Sequence, residues 1–397
     1  MVNLLTVIPD LKFFNMTNRK ITFVIGNRAH YARVKPIIKY IPKSSYKLVL
    51  FESAVLSDYG NVKDQIIDEA GEDNTVIMFT NISGGNLLTM TKSTGTAISE
   101  LATEFAKDKP EIIVVVADRY ETLAATIAAR YLNIPVAHIQ GGENTGSIDD
   151  NIRHAVTKLA NIHFVTNSES AMRVEKMGEN KNSIYITGCP TIDICANLPE
   201  KNSQSIFEHR SGVYEKEFIL QKKYIIVAFH PVTTEYKENR EHFRVLLEAI
   251  NALDTQVIWL YPNIDAGTDL VHKELLRFKS EDKKGLIYFF RHFDVENYLI
   301  LLKNAQCIVG NSSVGIRESS FLGTPSVTIG SRQRGRNRAS NVIDAEFSVE
   351  AIKNAVIKQV QHGNYPSSNL YGQGNAGKKI SDILLSCDLT IEKHMTY

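Results

Sequence analysis

With 397 residues, 43% of them hydrophobic and 22% charged, the chain is long enough for two or three domains of about 100–200 residues and apolar enough to bury a sizeable core. A formal charge of +1 excludes a global field that would recruit nucleic acid or an anionic membrane. No apolar run approaches the ~18 residues of a membrane span, and Cys189, Cys195, Cys307 and Cys387 form no CxxC pair, so they read as free thiols in a reducing, cytoplasmic compartment.

Residues 1–18 lack the ordered regions of a targeting signal and read as an N-terminal extension. A strand over 21–25 ends in Gly26-Asn27-Arg28-Ala29-His30-Tyr31, and Val34, Ile37, Ile38 and Ile41 then share one helical face. A strand is predicted at 46–51, a loop at 53–60, and helices at 61–70 and 89–107. Residues 112–116 are an unbroken apolar, β-branched run, the pattern of a strand covered on both faces, with Asp118 and Arg119 at its end. Leu123, Ala124, Ile127, Ala128 and Tyr131 recur at helical spacing, 135–139 restarts a strand, and Gly141-Gly142 ends it. Asp149 or Asp150 suits the cap of a helix whose inner face is Ile152, Ala155, Val156 and Leu159. A strand at 162–166, a helix at 169–177 closed by Gly178 and a strand at 183–187 complete the unit, which 188–190 closes.

The stretch 199–214 is polar and weakly periodic, and is read as the link between domains. The alternation then restarts, with strands at 224–229, 256–261, 286–289, 307–310 and 326–330. Helices are expected at 240–253, 266–277, 295–303, 314–322, 349–361 and 378–386. Strands alternating with helices predict an α/β chain of two doubly wound, Rossmann-like domains, 19–198 and 215–373, facing across a cleft, with 374–397 as a C-terminal helix and tail.

In open parallel sheets ligands bind at the carboxyl ends of the strands, and the chemistry-bearing residues fall there. Gly310-Asn311-Ser312-Ser313-Val314-Gly315 joins a strand to a helix, whose free N–H groups and hydroxyls suit a phosphate; taken alone it is also an ordinary serine cap beside a close-packed glycine. Glu318 lies about a turn further on. Arg332, Arg334, Arg336 and Arg338 follow another strand, and arginine forks suit bidentate phosphate contacts, though a solvated basic loop would read the same. His230 ends a strand ahead of Pro231, where it can serve a leaving phosphate or only the fold. In the first half, Arg28, Asp118, Arg119, Glu143, Asp149 and Arg153 gather at one sheet edge, the composition of a general acid–base site. Each alone has a structural use, since Asp149 can cap and Asp118 can merely orient Arg119. No HExxH, clustered His/Cys spacing, P-loop or GxGxxG is present, which disfavours metal and dinucleotide cofactors.

The segments GNRAHY, ADRYE, HIQGGENTGSIDDNIRHAVTKLA, AFHPVTTE, YPNIDAG, GNSSVGIRE, GTPSVTIGSRQRGR and NLYGQGNAGKKI together make the chain resemble the hydrolysing UDP-N-acetylglucosamine 2-epimerases from about residue 21 to 385. Those enzymes feed sialic-acid-type nonulosonate synthesis. The resemblance implies a GT-B-like fold with the active site between two Rossmann-like domains, a UDP-sugar substrate, no cofactor and a homo-oligomer, dimer or tetramer. It implies elimination of UDP to a glycal and addition of water. It places Asp118, Glu143, Asp149 and His230 in catalysis. It places Arg28, Arg119, Gln140, Arg153, Asn263, Ser312, Ser313, Arg317, Glu318 and Arg332 against the substrate. Many relatives have Gly where Ala117 stands, some have Glu where Gln140 stands, and His is frequent where Ala54 stands. Because a glutamine takes no proton at neutral pH, proton transfer falls to Asp118, Glu143 or Asp149, or Gln140 only positions the sugar, and those departures open the alternative of a UDP-2,4-diacetamido-6-deoxy sugar. A non-hydrolysing 2-epimerase of the same fold is a further reading. A GT-B glycosyltransferase and a nucleotide-sugar sensor are the readings from other classes.

Overall fold

The computed structural model describes residues 19–57, 62–207, 219–221, 223–262, 267–268, 271, 274–275, 277–278 and 284–396. The apolar runs become strands that show no face to solvent: β1 (Ile21–Ile25) and β4 (Ile112–Val116) are buried along their whole length. With β2 (Tyr46–Leu50), β3 (Thr75–Ile77), β5 (Val136–Ile139), β6 (Ile162–Val165) and β7 (Ile184–Ile186) they form a parallel sheet of order β3-β2-β1-β4-β5-β6-β7. Helices α1 (Arg28–Ile38), α2 (Val62–Ala70), α3 (Leu87–Asp108), α4 (Tyr120–Tyr131), α5 (Asp149–Leu159), α6 (Ser168–Lys176) and α7 (Pro190–Ala196) connect them. Odd and even positions of one strand serve different layers: Ile112 and Val114 pack with Ile37, whereas Ile113 and Val115 pack with Leu101 and Ala125.

The second lobe repeats the design. Its parallel sheet runs β10 (Ile287–Phe290), β9 (Gln256–Leu260), β8 (Tyr224–Ala228), β11 (Cys307–Gly310), β12 (Ser326–Ile329), β13 (Val342–Ala345). It is covered by α8 (Asn239–Asn251), α9 (Val295–Asn304), the short α10 (Glu318–Leu322) and α11 (Val349–His362). The last helix, α12 (Ala376–Ser386), returns to the first lobe. Ile380 and Leu384 join the core of β1, and the Asp193 carboxylate accepts from the backbone N–H of Ala376 at 2.9 Å and Gly377 at 2.7 Å. Among the described residues no helix is long and apolar enough to cross a membrane.

The structure corrects several expectations. The edge strands β3 and β13 are present although neither was expected; both are short and only partly buried, so they lack an apolar run. Residues 188–190 do not close the first unit: Pro190 opens α7, as a residue with no N–H to satisfy can at a first helical position. Residues 314–322 are not one helix but a single 3-10 turn, Ser313–Gly315, followed by α10. Neither Asp149 nor Asp150 caps α5, whose cap position is Ile148; Asp150 instead accepts from Thr145 N, Thr145 Oγ1 and Gly146 N and ties down the preceding loop. Asn263, residues 1–18, the second part of the expected link (208–214) and part of the expected helix 266–277 lie outside the described residues.

Gly310 ends β11 at φ 136°, and a Cβ there would stand 2.2 Å from the Ala228 carbonyl oxygen on β8. Gly310→Ala is therefore expected to lower stability by about 2–5 kcal/mol, summing an unfavourable backbone region and an overpacked strand pair. Urea unfolding followed by circular dichroism measures it, and an unchanged midpoint would contradict this close approach.

Candidate active site

Each sheet reverses its strand order once in its interior, between β1 and β4 and between β8 and β11. A crevice opens where the loops of two neighbouring strands leave in opposite directions. The four strand ends put Asn27 and Arg28, Ala117 to Arg119, His230, and Ser312 and Ser313 on the wall of one cavity of about 1400 Å³, open solvent at its mouth included. Thr145 and Asp149 follow β5, and Arg332, Gln333 and Arg336 follow β12, onto the same wall. Asp118 and Arg332 thus share one crevice between the lobes.

On the first lobe, Asn27 caps α1 with its side-chain oxygen, accepting from Ala29 N at 3.0 Å and His30 N at 3.1 Å. That launches Arg28 across the cleft, where Nη1 donates to the Arg291 carbonyl at 2.8 Å. Ala117 turns the chain after β4 with φ 64°, a region that costs a residue with a Cβ about 1–2 kcal/mol. Asp118 comes next and pairs with Arg153 Nη2. Arg153 is buried and also donates to Asp150 at 2.8 Å and to the Glu143 carbonyl at 2.6 Å. Burial, then the charges of Arg317, Arg332 and Arg33, pushes its guanidinium down to about 9, so it stays charged at neutral pH. Arg119 Nε donates to both carboxylate oxygens of Glu121 at 3.0 Å. Burial raises Glu121 to about 7, with Arg119 opposing.

On the second lobe, the Asn311 side chain laces two strand ends together, accepting from His230 N and donating to His230 O, both at 2.8 Å. Arg332 Nη1 and Gln333 Nε2 each donate to the Asn311 carbonyl at 3.0 Å, which draws the arginine-rich loop over the cavity. Arg317 Nη2 donates to Ser313 Oγ at 2.8 Å. The turn after β11 is too short to aim a helix dipole, so the anion-holding capacity here lies in the arginines, His230 and the serine hydroxyls. Glu318 is buried on the wall, and its Oε2 has no hydrogen-bond partner among the described residues. A buried acceptor without a partner costs about 1–3 kcal/mol until a donor arrives, and ligand hydroxyls are such donors.

Three expected site residues stand behind the wall instead of on it. Glu143 is buried and accepts from Thr166 Oγ1 at 3.0 Å, Arg317 Nη1 at 3.3 Å and Arg336 Nη1. With Gly335 N donating to Thr145 O at 2.9 Å, it fastens one lobe to the other. Gln140, at φ 69°, accepts from Arg33 Nε at 2.9 Å and points its amide nitrogen at Cys189 Sγ, 3.0 Å away. Arg153 is the third. Asp149 does face the cavity, 4.0 Å from Arg332 Nη2 across the cleft. Of the four arginines in the basic loop, Arg332 and Arg336 line the cavity, Arg334 is exposed, and Arg338 pairs with Asp344. The sequence reading missed Arg33, which takes the place on the wall that Gln140 was expected to fill. It lies five residues beyond Arg28 on α1, off the apolar face that helical spacing marks.

A protein-family model described as UDP-N-acetylglucosamine 2-epimerase matches residues 63–385. The UDP-N-acetylglucosamine 2-epimerase of Neisseria meningitidis serogroup B is 30% identical over 360 residues, which are 90% of this chain and 92% of that protein. The UDP-N,N'-diacetylbacillosamine 2-epimerase (hydrolyzing) of Legionella pneumophila is 30% identical over 374 residues, 94% of this chain and 97% of that one. Among solved structures, the Methanocaldococcus jannaschii UDP-GlcNAc 2-epimerase in complex with UDP-GlcNAc and UDP superposes with a TM-score of 0.74 at 19% identity, covering 92% of this chain and 99% of that one. That likeness carries the fold, two Rossmann-like domains in the GT-B arrangement.

Proposed function

The chain belongs to the UDP-N-acetylglucosamine 2-epimerase family, and from that premise we propose that it is a hydrolysing 2-epimerase, converting UDP-N-acetylglucosamine to N-acetylmannosamine and UDP. The observation that supports the proposal most is that Asp118 and Arg332, from different lobes, line a single cavity. Asp118 takes the proton from carbon 2 while the carbon 1–oxygen bond breaks and its electron pair leaves with UDP, giving a glycal. Water then adds, a proton returning to the opposite face of carbon 2 and hydroxide to carbon 1. Charge develops on the departing diphosphate, where preorganised cations lower the barrier most. Arg332, Arg28 and His230 fill that role, with Ser312 and Ser313 as donors and Glu318 accepting from ribose hydroxyls. Asp149, facing the cavity from the first lobe, is the second proton-transfer group. Glu143 and Arg153 act from behind the wall. A place before a nonulosonate synthase, a cytoplasmic setting and a homo-oligomer belong to the same proposal.

A second reading, a UDP-diacetamido-6-deoxy sugar as substrate, is favoured by the Legionella relative and by Gln140, which gives Arg33 a neutral partner. Incubation with each UDP-sugar, followed by NMR of the products, separates the readings. Free N-acetylmannosamine and UDP are expected from UDP-N-acetylglucosamine. UDP-N-acetylmannosamine without free UDP would mean a non-hydrolysing enzyme, and an inert first substrate beside a turned-over diacetamido sugar would move the assignment to the second reading.

Arg332→Ala is expected to weaken UDP binding about 10- to 100-fold, the loss of a charge-assisted contact worth about 1.5–3 kcal/mol. Isothermal titration with UDP measures it, and unchanged affinity would take Arg332 away from the diphosphate.

A further inference from the structure

Asp118 enters the cavity from a residue held in an unfavourable conformation, and the contacts that hold that residue are not themselves on the cavity wall. Ala117 keeps its left-handed φ of 64° between two hydrogen bonds from β5: its N–H donates to the Ile139 carbonyl at 2.9 Å, and its carbonyl accepts from His138 Nε2 at 2.8 Å. Because a carbonyl can only accept, Nε2 carries the ring hydrogen. Thr157 Oγ1, 3.2 Å from Nδ1, then donates into the other nitrogen and locks that tautomer from α5. The ring is fully buried, and burial pushes it down to about 3, so it stays neutral. Gly141 completes the socket, since a Cβ there would stand 3.1 Å from both His138 Nδ1 and Thr157 Oγ1.

We propose that His138 is a positioning residue for proton transfer: its Nε2–H holds the Ala117 carbonyl, keeps that residue left-handed and so aims the Asp118 carboxylate at carbon 2. The inference rests on Asp118 being the base. It assigns His138 no contact with substrate and no proton in flight. A side chain at Gly141 would press on this ring and on the Thr157 hydroxyl, each of which stands 3.1 Å from where its Cβ would lie.

His138→Leu in the full chain is expected to lower kcat on UDP-N-acetylglucosamine about 10- to 100-fold, while KM and the Kd for UDP stay within about twofold. Glycine adopts positive φ without a holding contact, so adding Ala117→Gly should recover at least about tenfold of the loss where the single variant loses a hundredfold. Thr157→Val, which removes the hydrogen bond that sets the tautomer and keeps the shape, should lower kcat about three- to tenfold with the same unchanged UDP affinity, and it serves if His138→Leu does not fold. Full activity in Thr157→Val and in any folded His138→Leu overturns the proposal. So does a fall in UDP affinity in step with kcat, or a double variant no better than the single one. If Asp118→Asn proves fully active, the base assignment itself is wrong. If Asp118→Asn is inactive while the His138 and Thr157 variants are normal, only the positioning role fails.

Discussion

Asp118→Asn is expected to lower kcat by about a hundredfold to ten-thousandfold, the range for removing a positioned proton-transfer group. UDP affinity should stay within about threefold. The substitution keeps the shape and removes the charge, and the fold should tolerate it, because Arg153 keeps Asp150 and the Glu143 carbonyl as partners. The diphosphate contacts assigned to the second lobe are untouched. Steady-state kinetics and a UDP titration on the same preparation separate the two effects. A variant that turns over normally but no longer holds UDP would mean that the roles of the two lobes are exchanged.

Glu143→Gln is expected to act on stability before it acts on chemistry. The Glu143 carboxylate faces the guanidiniums of Arg317 and Arg336, and all three groups are buried. Removing one partner of a buried ionic cluster strands the others, at a cost of about 3–5 kcal/mol. Glu143 belongs to the first lobe and both arginines to the second, so the loss should loosen the contact between the lobes. A lower urea midpoint and weaker UDP binding are expected, with kcat at saturating substrate falling less than in Asp118→Asn. Native stability combined with abolished turnover would return Glu143 to the acid–base role that the sequence alone suggested.

Glu143 also marks how far the sequence could be read. The buried central strands were legible because β-branched runs with no polar face, such as Ile112–Val116, have one stable use. The edge strands β3 and β13 were not, because a short strand covered on one face carries too little pattern. Strand ends were legible as the place of chemistry, and that was enough to bring Asp118, Arg119, Arg28, His230, Ser312 and Arg332 to one cavity. Side-chain direction within a loop was not. Gln140 and Gly142 both sit at positive φ, and the turn they make carries Gln140 and Glu143 behind the wall, which no spacing rule foresees. Helical periodicity marks the apolar positions of α1 and leaves out Arg33, although its side chain lines the cavity. The Ala117 departure noted in the sequence acquired a physical meaning only from its backbone angle and from the ring of His138.

The most direct test of the clamp between two lobes, one holding a diphosphate and the other removing a proton, is turnover of UDP-N-acetylglucosamine in deuterium oxide followed by NMR and mass spectrometry. One deuterium at carbon 2 of N-acetylmannosamine, with one UDP released per sugar formed, is the predicted result. UDP released with the original hydrogen still on carbon 2 would contradict it.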